Sequence, residues 1–279
     1  MLTYAVAVSE TPPTALPSGE LACFDGQVAP AGETRIEITD DGFLRGDGAF
    51  EVVRVYDGRP FALDEHLDRM ERSAESLRLT DVPRLELEEE AARLLGERGG
   101  PDFHGCLRIV LTRGGHRLLV TEPLPPSPER PRLGFVTYAP TRVLDGVKSL
   151  SYAANMLCGR LARERGFDEA LMVTPHGRVL EAPTASIFWV DAGGTLRTPP
   201  LDDHILASIT RDRVMSLVEV HETAVTAEEI KEAREAFLAS TTREVQAVGA
   251  IEDREFPHAG ELTSQAAAAL RAQIESELR

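Results

Sequence analysis

Five prolines fall within ten residues, at 122–131 (Glu-Pro-Leu-Pro-Pro-Ser-Pro-Glu-Arg-Pro). Proline lacks the N–H that a helix interior or a central strand requires, so no regular element can run through this stretch. It reads as a linker. The chain of 279 residues is then cut into a smaller part, 1–125, a connection, 126–132, and a larger part, 133–279. At about 100–200 residues per domain, each part is large enough to hold its own core. With 42% hydrophobic and 27% charged residues, both read as ordinary folded protein.

Each part mixes strands and helices. In the first, 50–56 is rich in valine and aromatics and reads as a strand closed by the Asp57-Gly58 turn. Leu63, Leu67, Met70, Ala74 and Leu77 recur at helical spacing, with Asp64 placed as a cap. A second helix is expected over 85–97, and a short buried strand over 107–112. In the second part, strands are expected at 133–138, 170–174, 178–180 and 186–190. Helices are expected at 152–165, 209–218, 227–236 and 262–278. The pattern is α/β, better described as α+β, without a clean βαβ repeat.

Charge and ligand chemistry narrow the function. The net charge of −16 opposes a nucleic-acid backbone or an anionic membrane as the main partner. Three separated cysteines give neither a disulfide framework nor a zinc ribbon. Seven scattered histidines show no metal-ligand spacing, so no metal is expected. Residues 1–10 lack the basic flank and apolar core of a signal peptide, and no apolar run is long enough to span a bilayer. The expectation is a cytoplasmic protein.

Of the 30 basic residues only two are lysines, Lys148 and Lys231; the other 28 are arginine. A GC-rich genome accounts for the bias, but arginine cannot replace lysine as a nucleophilic amine. Lys231 sits among Glu228 and Glu235 and reads as part of a solvated helix face. Lys148 stands at a strand-to-helix junction, where it is either a surface cation or a desolvated amine of raised nucleophilicity. Glu181 is a single acid between apolar segments and must be paired or neutralised. Its partner is either an arginine or the protonated ring nitrogen of a pyridine cofactor. Ser208-Ile209-Thr210 opens a helix, and Ser240-Thr241-Thr242 follows an apolar run. Both are either ordinary caps or seats for a phosphate. Arg69 could add a forked contact to the same anion.

Taken in order, these segments resemble one family. They are 46–58 (Gly-Asp-Gly-Ala-Phe-Glu-Val-Val-Arg-Val-Tyr-Asp-Gly), Leu63-Asp-Glu-His-Leu-Asp-Arg-Met70, Val147-Lys-Ser-Leu150, Val179-Leu-Glu181, Ile187-Phe188, Ile209-Thr-Arg-Asp212 and Ala239-Ser-Thr-Thr-Arg-Glu-Val245. The set is similar to the fold-type IV pyridoxal-phosphate enzymes, the class IV aminotransferases, over roughly residues 24–256. The resemblance implies two α/β domains with pyridoxal 5'-phosphate in the cleft between them, in a homodimer whose partner loop closes the site. It implies that Lys148 holds the cofactor and shuttles the proton, and that Glu181 faces the pyridine nitrogen. Arg69, Ile209, Thr210, Ser240 and Thr241 would form the phosphate cup. Phe50, Arg54, His116, Arg117 and Thr242 would lie toward the substrate, an amino donor or a keto-acid acceptor.

Within the family, Glu51-Val52-Val53 and Ser240-Thr-Thr242 resemble the D-amino-acid aminotransferases. Many aminodeoxychorismate lyases, which release pyruvate and 4-aminobenzoate, carry threonine where Val52 stands. Residues 150–155, by contrast, resemble some of those lyases, and D-amino-acid enzymes commonly carry tyrosine where Phe50 stands. In Arg113-Gly-Gly-His-Arg117 the spacing differs from theirs, and Ala-Pro-Thr-Ala-Ser after Glu181 departs from the usual Gly- and Ser-rich run. That departure bears on Thr184 and Ser186. The expected activity is therefore transamination, with the lyase as the alternative and a non-catalytic binding protein as the third reading.

Overall fold

The computed structural model describes residues 19–256 and 258–279. The segment 1–10, read above for a signal peptide, lies outside them.

Before the proline segment the chain builds one six-stranded sheet. Its strands are β1 (Leu21–Phe24), β2 (Gln27–Pro30), β3 (Gly48–Tyr56), β4 (Arg59–Pro60), β5 (Gly105–Thr112) and β6 (Arg117–Glu122). They run in the order β2-β1-β6-β5-β3-β4, with antiparallel neighbours. Helices α1 (Asp41–Arg45), α2 (Leu63–Leu77) and α3 (Arg84–Arg98) complete this part. The apolar stripe of α2 explains its docking: Leu67 and Met70 are fully buried against Val53, Val55, Leu107 and Ile109 of the sheet. Asp64 is not the cap of α2. Ala62 occupies that position in the left-handed region, at φ 56°, and Asp64 falls in the first turn, where its charge still suits the helix dipole.

After the prolines, two sheets stack. The four-stranded sheet, in the order β15-β14-β7-β8, contains β7 (Arg132–Thr137), β8 (Glu169–Val173), β14 (Ala250–Ile251) and β15 (Arg254–Glu255). The five-stranded sheet, in the order β11-β10-β9-β12-β13, contains β9 (Ser186–Val190), β10 (Leu196–Thr198), β11 (His221–Glu222), β12 (Glu235–Ser240) and β13 (Glu244–Ala247). Leu133, Leu171, Ile187, Trp189 and Leu238 pack between them. Helix α4 (Ala153–Glu164) covers the outer face of the smaller sheet through Cys158 and Ala162. Helices α5 (Ile209–Leu217) and α7 (Glu261–Glu277) cover the outer face of the larger one, where Phe188 and Phe237 stack at 4.7 Å beneath Leu270 and Ile274. Because β8, β9 and most of β12 are buried on both faces, they read as continuous apolar runs.

Two expectations change. The helix expected over 227–236 is only α6 (Ala227–Ile230), closed at its start by a Thr226–Glu229 capping box, and residues 235–236 belong to β12. Residues 178–180 form isolated bridges to Val173 and Thr226, not a strand. Among the described residues no helix is long and apolar enough to cross a membrane.

Candidate active site

A cavity of about 820 Å³ opens where the six-stranded sheet meets the second part of the chain. The segment carrying Lys148 forms its floor. Lys148 and Leu150 pair with the start of β3: Phe50 N–H donates to the Lys148 carbonyl at 3.0 Å, and Leu150 N–H donates to the Gly48 carbonyl at 2.9 Å. This approach needs a glycine at 48, since a Cβ there would sit 2.3 Å from the Leu111 carbonyl oxygen and 2.6 Å from Leu150 Cδ1. From the other side, Lys148 N–H donates to Ser73 Oγ of α2 at 3.1 Å. The backbone of Lys148 is therefore held by both a strand and a helix.

Its amine faces the cavity. Lys148 Nζ lies 4.5 Å from the centre of the Phe50 ring and 5.8 Å from that of Tyr152. Among the described residues it has no ion-pair partner. Burial and the nearby Arg69 charge outweigh the attraction of Glu51 and Glu181, and lower its pKa from 10.5 to about 8. At pH 7 about a tenth is thus the free base, far more than for an ordinary lysine.

Glu181 lies between the isolated bridges that follow β8 and the start of β9. Its Oε1 accepts from Leu206 N–H at 3.2 Å, and no arginine is within ion-pair distance among the described residues. Burial, only partly offset by the Leu206 bond and the charges of Lys148, Arg211 and Arg69, raises its carboxyl to about 7. The arginine salt bridge weighed from the sequence is not formed.

The third group is the anion end. Arg69, on the buried face of α2, donates from Nε and Nη2 to the two carboxylate oxygens of Glu51, each at 2.7 Å, and from Nη1 to the Ala207 carbonyl at 3.0 Å. Helix α5 starts directly after that carbonyl. Ser208 Oγ caps it by accepting from Arg211 N–H at 3.3 Å, which leaves the first N–H groups of Ile209 and Thr210 without helical partners. Across from them, Ser240 and Thr241 end β12 and begin the turn to β13. Among the described residues the buried Ser240 Oγ has no hydrogen-bond partner, and the same holds for Ser186 Oγ. An orphaned hydroxyl in a polar hollow is costly without a ligand. Arg69, the N-terminus of α5 and the Ser240–Thr241 turn thus suit a phosphate, as pyridoxal phosphate would require.

The residues placed from the sequence divide into three groups. Lys148, Glu181, Arg69, Phe50, Ser240, Thr241 and Thr242 border the large cavity. Ile209 and Thr210 face a narrow space beside it that Ser240 and Thr241 also border. Arg54, His116 and Arg117 do not line the cavity, because each is spent elsewhere. Arg54 Nη1 donates to the Thr242 carbonyl at 3.1 Å, which ties β3 to the turn. Arg117 pairs with Glu90 at 2.7 Å, and His116 Nδ1 sits 2.7 Å from Asp25. Thr184 and Ser186 do line it, and Thr184 Oγ1 accepts from Arg243 at 3.2 Å.

Sequence reasoning missed Arg108 and Tyr152. Arg108 pairs two-pronged with Glu122 at 2.6 and 2.9 Å and lies 5.5 Å from the Phe50 ring centre, on the cavity wall. It is the one charged residue of β5, an apolar strand, and that is the signal that would have found it. Tyr152 Oη donates to the Pro183 carbonyl, fixing the ring beside Lys148. The proline segment forms another wall: Gln246 holds it through Ser127 Oγ at 2.9 Å and the Pro128 carbonyl at 2.5 Å. Among the described residues no group of three or more His, Cys, Asp or Glu is placed to hold a metal ion.

Comparison with known proteins shows the family. The profile of the family described as Amino-transferase class IV matches residues 48–251. A Methanocaldococcus jannaschii protein provisionally named a branched-chain-amino-acid aminotransferase is 33% identical over 253 residues, covering 82% of this chain and 87% of that one. The D-alanine aminotransferase of Bacillus licheniformis is 30% identical over 278 residues, covering 91% and 97%. Among solved structures, the fold IV-transaminase CpuTA1 from Curtobacterium pusillum superposes with a TM-score of 0.80 at 28% identity, covering 91% of this chain and 99% of that one. With the match spanning most of the chain and the same segments that build the cavity, the chain belongs to the class IV aminotransferase family and is a pyridoxal-phosphate-dependent transaminase.

Proposed function

We propose that this enzyme moves an amino group between an amino acid or amine, D-amino acids included, and a 2-keto acid, in two half-reactions of a ping-pong cycle. The observation that carries the reading is the Lys148 amine, unpaired, facing the cavity and lowered to about pH 8. When bound, pyridoxal phosphate supplies an aldehyde that takes up amines and a ring that absorbs carbanion charge. The free-base amine of Lys148 would be the nucleophile toward that aldehyde, and its Nζ would take and return the Cα proton. Glu181, raised to about 7, is poised to share a proton with the ring nitrogen and to balance its charge. Arg69, the first N–H groups of α5, Ser240 Oγ and Thr241 would hold the phosphate. Phe50 and Tyr152, whose rings meet edge-on at 5.3 Å, flank the amine and limit water around it. Arg108 presents the guanidinium nearest the Phe50 wall and is the candidate ligand for a substrate carboxylate.

The same reading takes 1–125 and 133–279 as two domains joined by 126–132, and the active molecule as a homodimer. Half-reactions test it. Single-turnover mixing of the cofactor-loaded enzyme with D-alanine, L-leucine or (R)-phenylethylamine should bleach the visible absorption band with at least one of the three. Release of pyruvate from aminodeoxychorismate, with no bleaching by any of them, would replace transamination by the lyase reaction.

A further inference from the structure

The proposed function gives work to Arg69 and Lys148 but none to the acid beside them both. Glu51, in the middle of β3, is fully buried, as are His66 and, to within a few percent, Arg69. A buried carboxylate is costly unless it is fully paired. Here it is. Arg69 takes both oxygens edge-on, and His66 Nδ1 lies 2.7 Å from Oε2. Burial holds the His66 imidazole below its ordinary pKa, so it is neutral and donates from Nδ1 to the carboxylate. Burial alone would raise Glu51, but the bonds and charge of Arg69, with His66 beside them, hold it at about 2. The residue before it, Phe50, is hydrogen-bonded through its backbone to Lys148 and carries the ring under the amine.

The consequence is electrostatic. Two cations, Arg69 and the protonated form of Lys148, share one enclosed compartment, and Arg69 presses the amine toward its neutral form. Glu51 acts in the opposite sense on the same amine, as does Glu181, while Arg108 adds to the repulsion. Glu51 also decides which edge of the guanidinium is left over: with Nε and Nη2 engaged, only Nη1 points to the start of α5.

We propose that Glu51 is a positioning residue of this site: its carboxylate fixes the Arg69 guanidinium by two hydrogen bonds and supplies the negative charge that lets Arg69 and the Lys148 amine occupy one buried compartment. The proposal rests on the reading of Lys148 and Arg69 as cofactor-site residues, but it is tested without turnover. The chain has only two lysines, so each is an internal control for the other.

The full-length protein, freed of cofactor, is labelled with trinitrobenzenesulfonate across a pH series, and modification of Lys148 and Lys231 is read separately by mass spectrometry. Glu51→Gln should lower the apparent pKa of Lys148 by about one unit and leave that of Lys231 unmoved. Titration with pyridoxal phosphate and with phosphate-free pyridoxal should show about a tenfold weakening for the phosphate form only. Glu51→Asp retains the charge but cannot reach both donors. It should restore the Lys148 profile while still weakening pyridoxal phosphate.

A folded Glu51→Gln protein with an unchanged Lys148 profile and unchanged cofactor affinity overturns the proposal. So does a Glu51→Asp protein whose Lys148 profile shifts as far as that of the glutamine variant. If Glu51→Gln does not fold, Glu51→Asp alone decides: unaltered affinity for pyridoxal phosphate rejects the positioning role. Failure of the wild type to take up pyridoxal phosphate would instead sink the functional reading, and it would leave the labelling result standing.

Discussion

The chain's two lysines carry the same amine into opposite surroundings. Lys231 caps the short helix α6, and its Nζ pairs with Glu228 at 2.7 Å, which raises its pKa. Lys148 has no such partner among the described residues, and burial with the adjacent Arg69 brings it down to about 8. The two carboxylates of the site form a matching pair. Glu51 is fully paired and held at about 2, whereas Glu181, with one backbone N–H, is raised to about 7. Between the two acids, both buried, the partner decides; between the two amines, burial and the missing partner act together. An amine or acid whose partner has been withheld is the one available for chemistry.

The largest expected effect breaks the lysine comparison outright. Lys148→Arg should abolish transamination by at least about a thousand-fold in kcat, because a guanidinium stays protonated and cannot act as the nucleophile. Circular dichroism should stay that of the wild type. Glu181→Gln should lower kcat on the order of 100-fold, since it removes the charge opposite the ring nitrogen but leaves Lys148 in place.

A smaller effect concerns stability and pH. Lys148 is harder to protonate in the folded chain than in the unfolded one, so protonation favours unfolding. The penalty is absent above the unfolded value of 10.5 and complete below about 8. Replacing it in the cofactor-free enzyme by methionine should therefore raise Tm more at pH 7 than at pH 10.5. An equal shift at both would show that the amine is not desolvated. The smallest effect is at the other lysine: Glu228→Gln should leave kcat and Tm unchanged within error while its pair with Lys231 is lost. A measurable loss of activity there would collapse the contrast.

Much of this was legible in the chain, for physical reasons. The apolar stripe of α2 and the switch to helix after Lys148 are local patterns, and the structure carries α2 over the expected 63–77. The helix expected over 227–236 ran too far, because its last residues open β12, a strand buried on both faces that shows no alternation. For the same reason Glu235 does not support Lys231; it accepts from Thr263 N–H at the start of α7. At the site, Lys148 stood out by scarcity and Glu181 by isolation in an apolar segment.

Arg108 and Glu51 share that second signal. Each is a lone charge in a stretch of apolar strand, but their partners lie across the sheet or on a helix, and register sets that geometry. Arg117 and His116 show the converse. Their loop looked suited to a substrate carboxylate, yet Glu90 and Asp25, distant in sequence, already claim them.

Lys148, and not Lys231, is proposed as the amine that holds the cofactor. The direct measurement is to load the enzyme with pyridoxal phosphate, reduce it with borohydride, digest it and locate the added mass. The expected result is a single modified peptide containing Lys148 and complete loss of the label in Lys148→Arg. A label on Lys231, or none on either lysine, would contradict it.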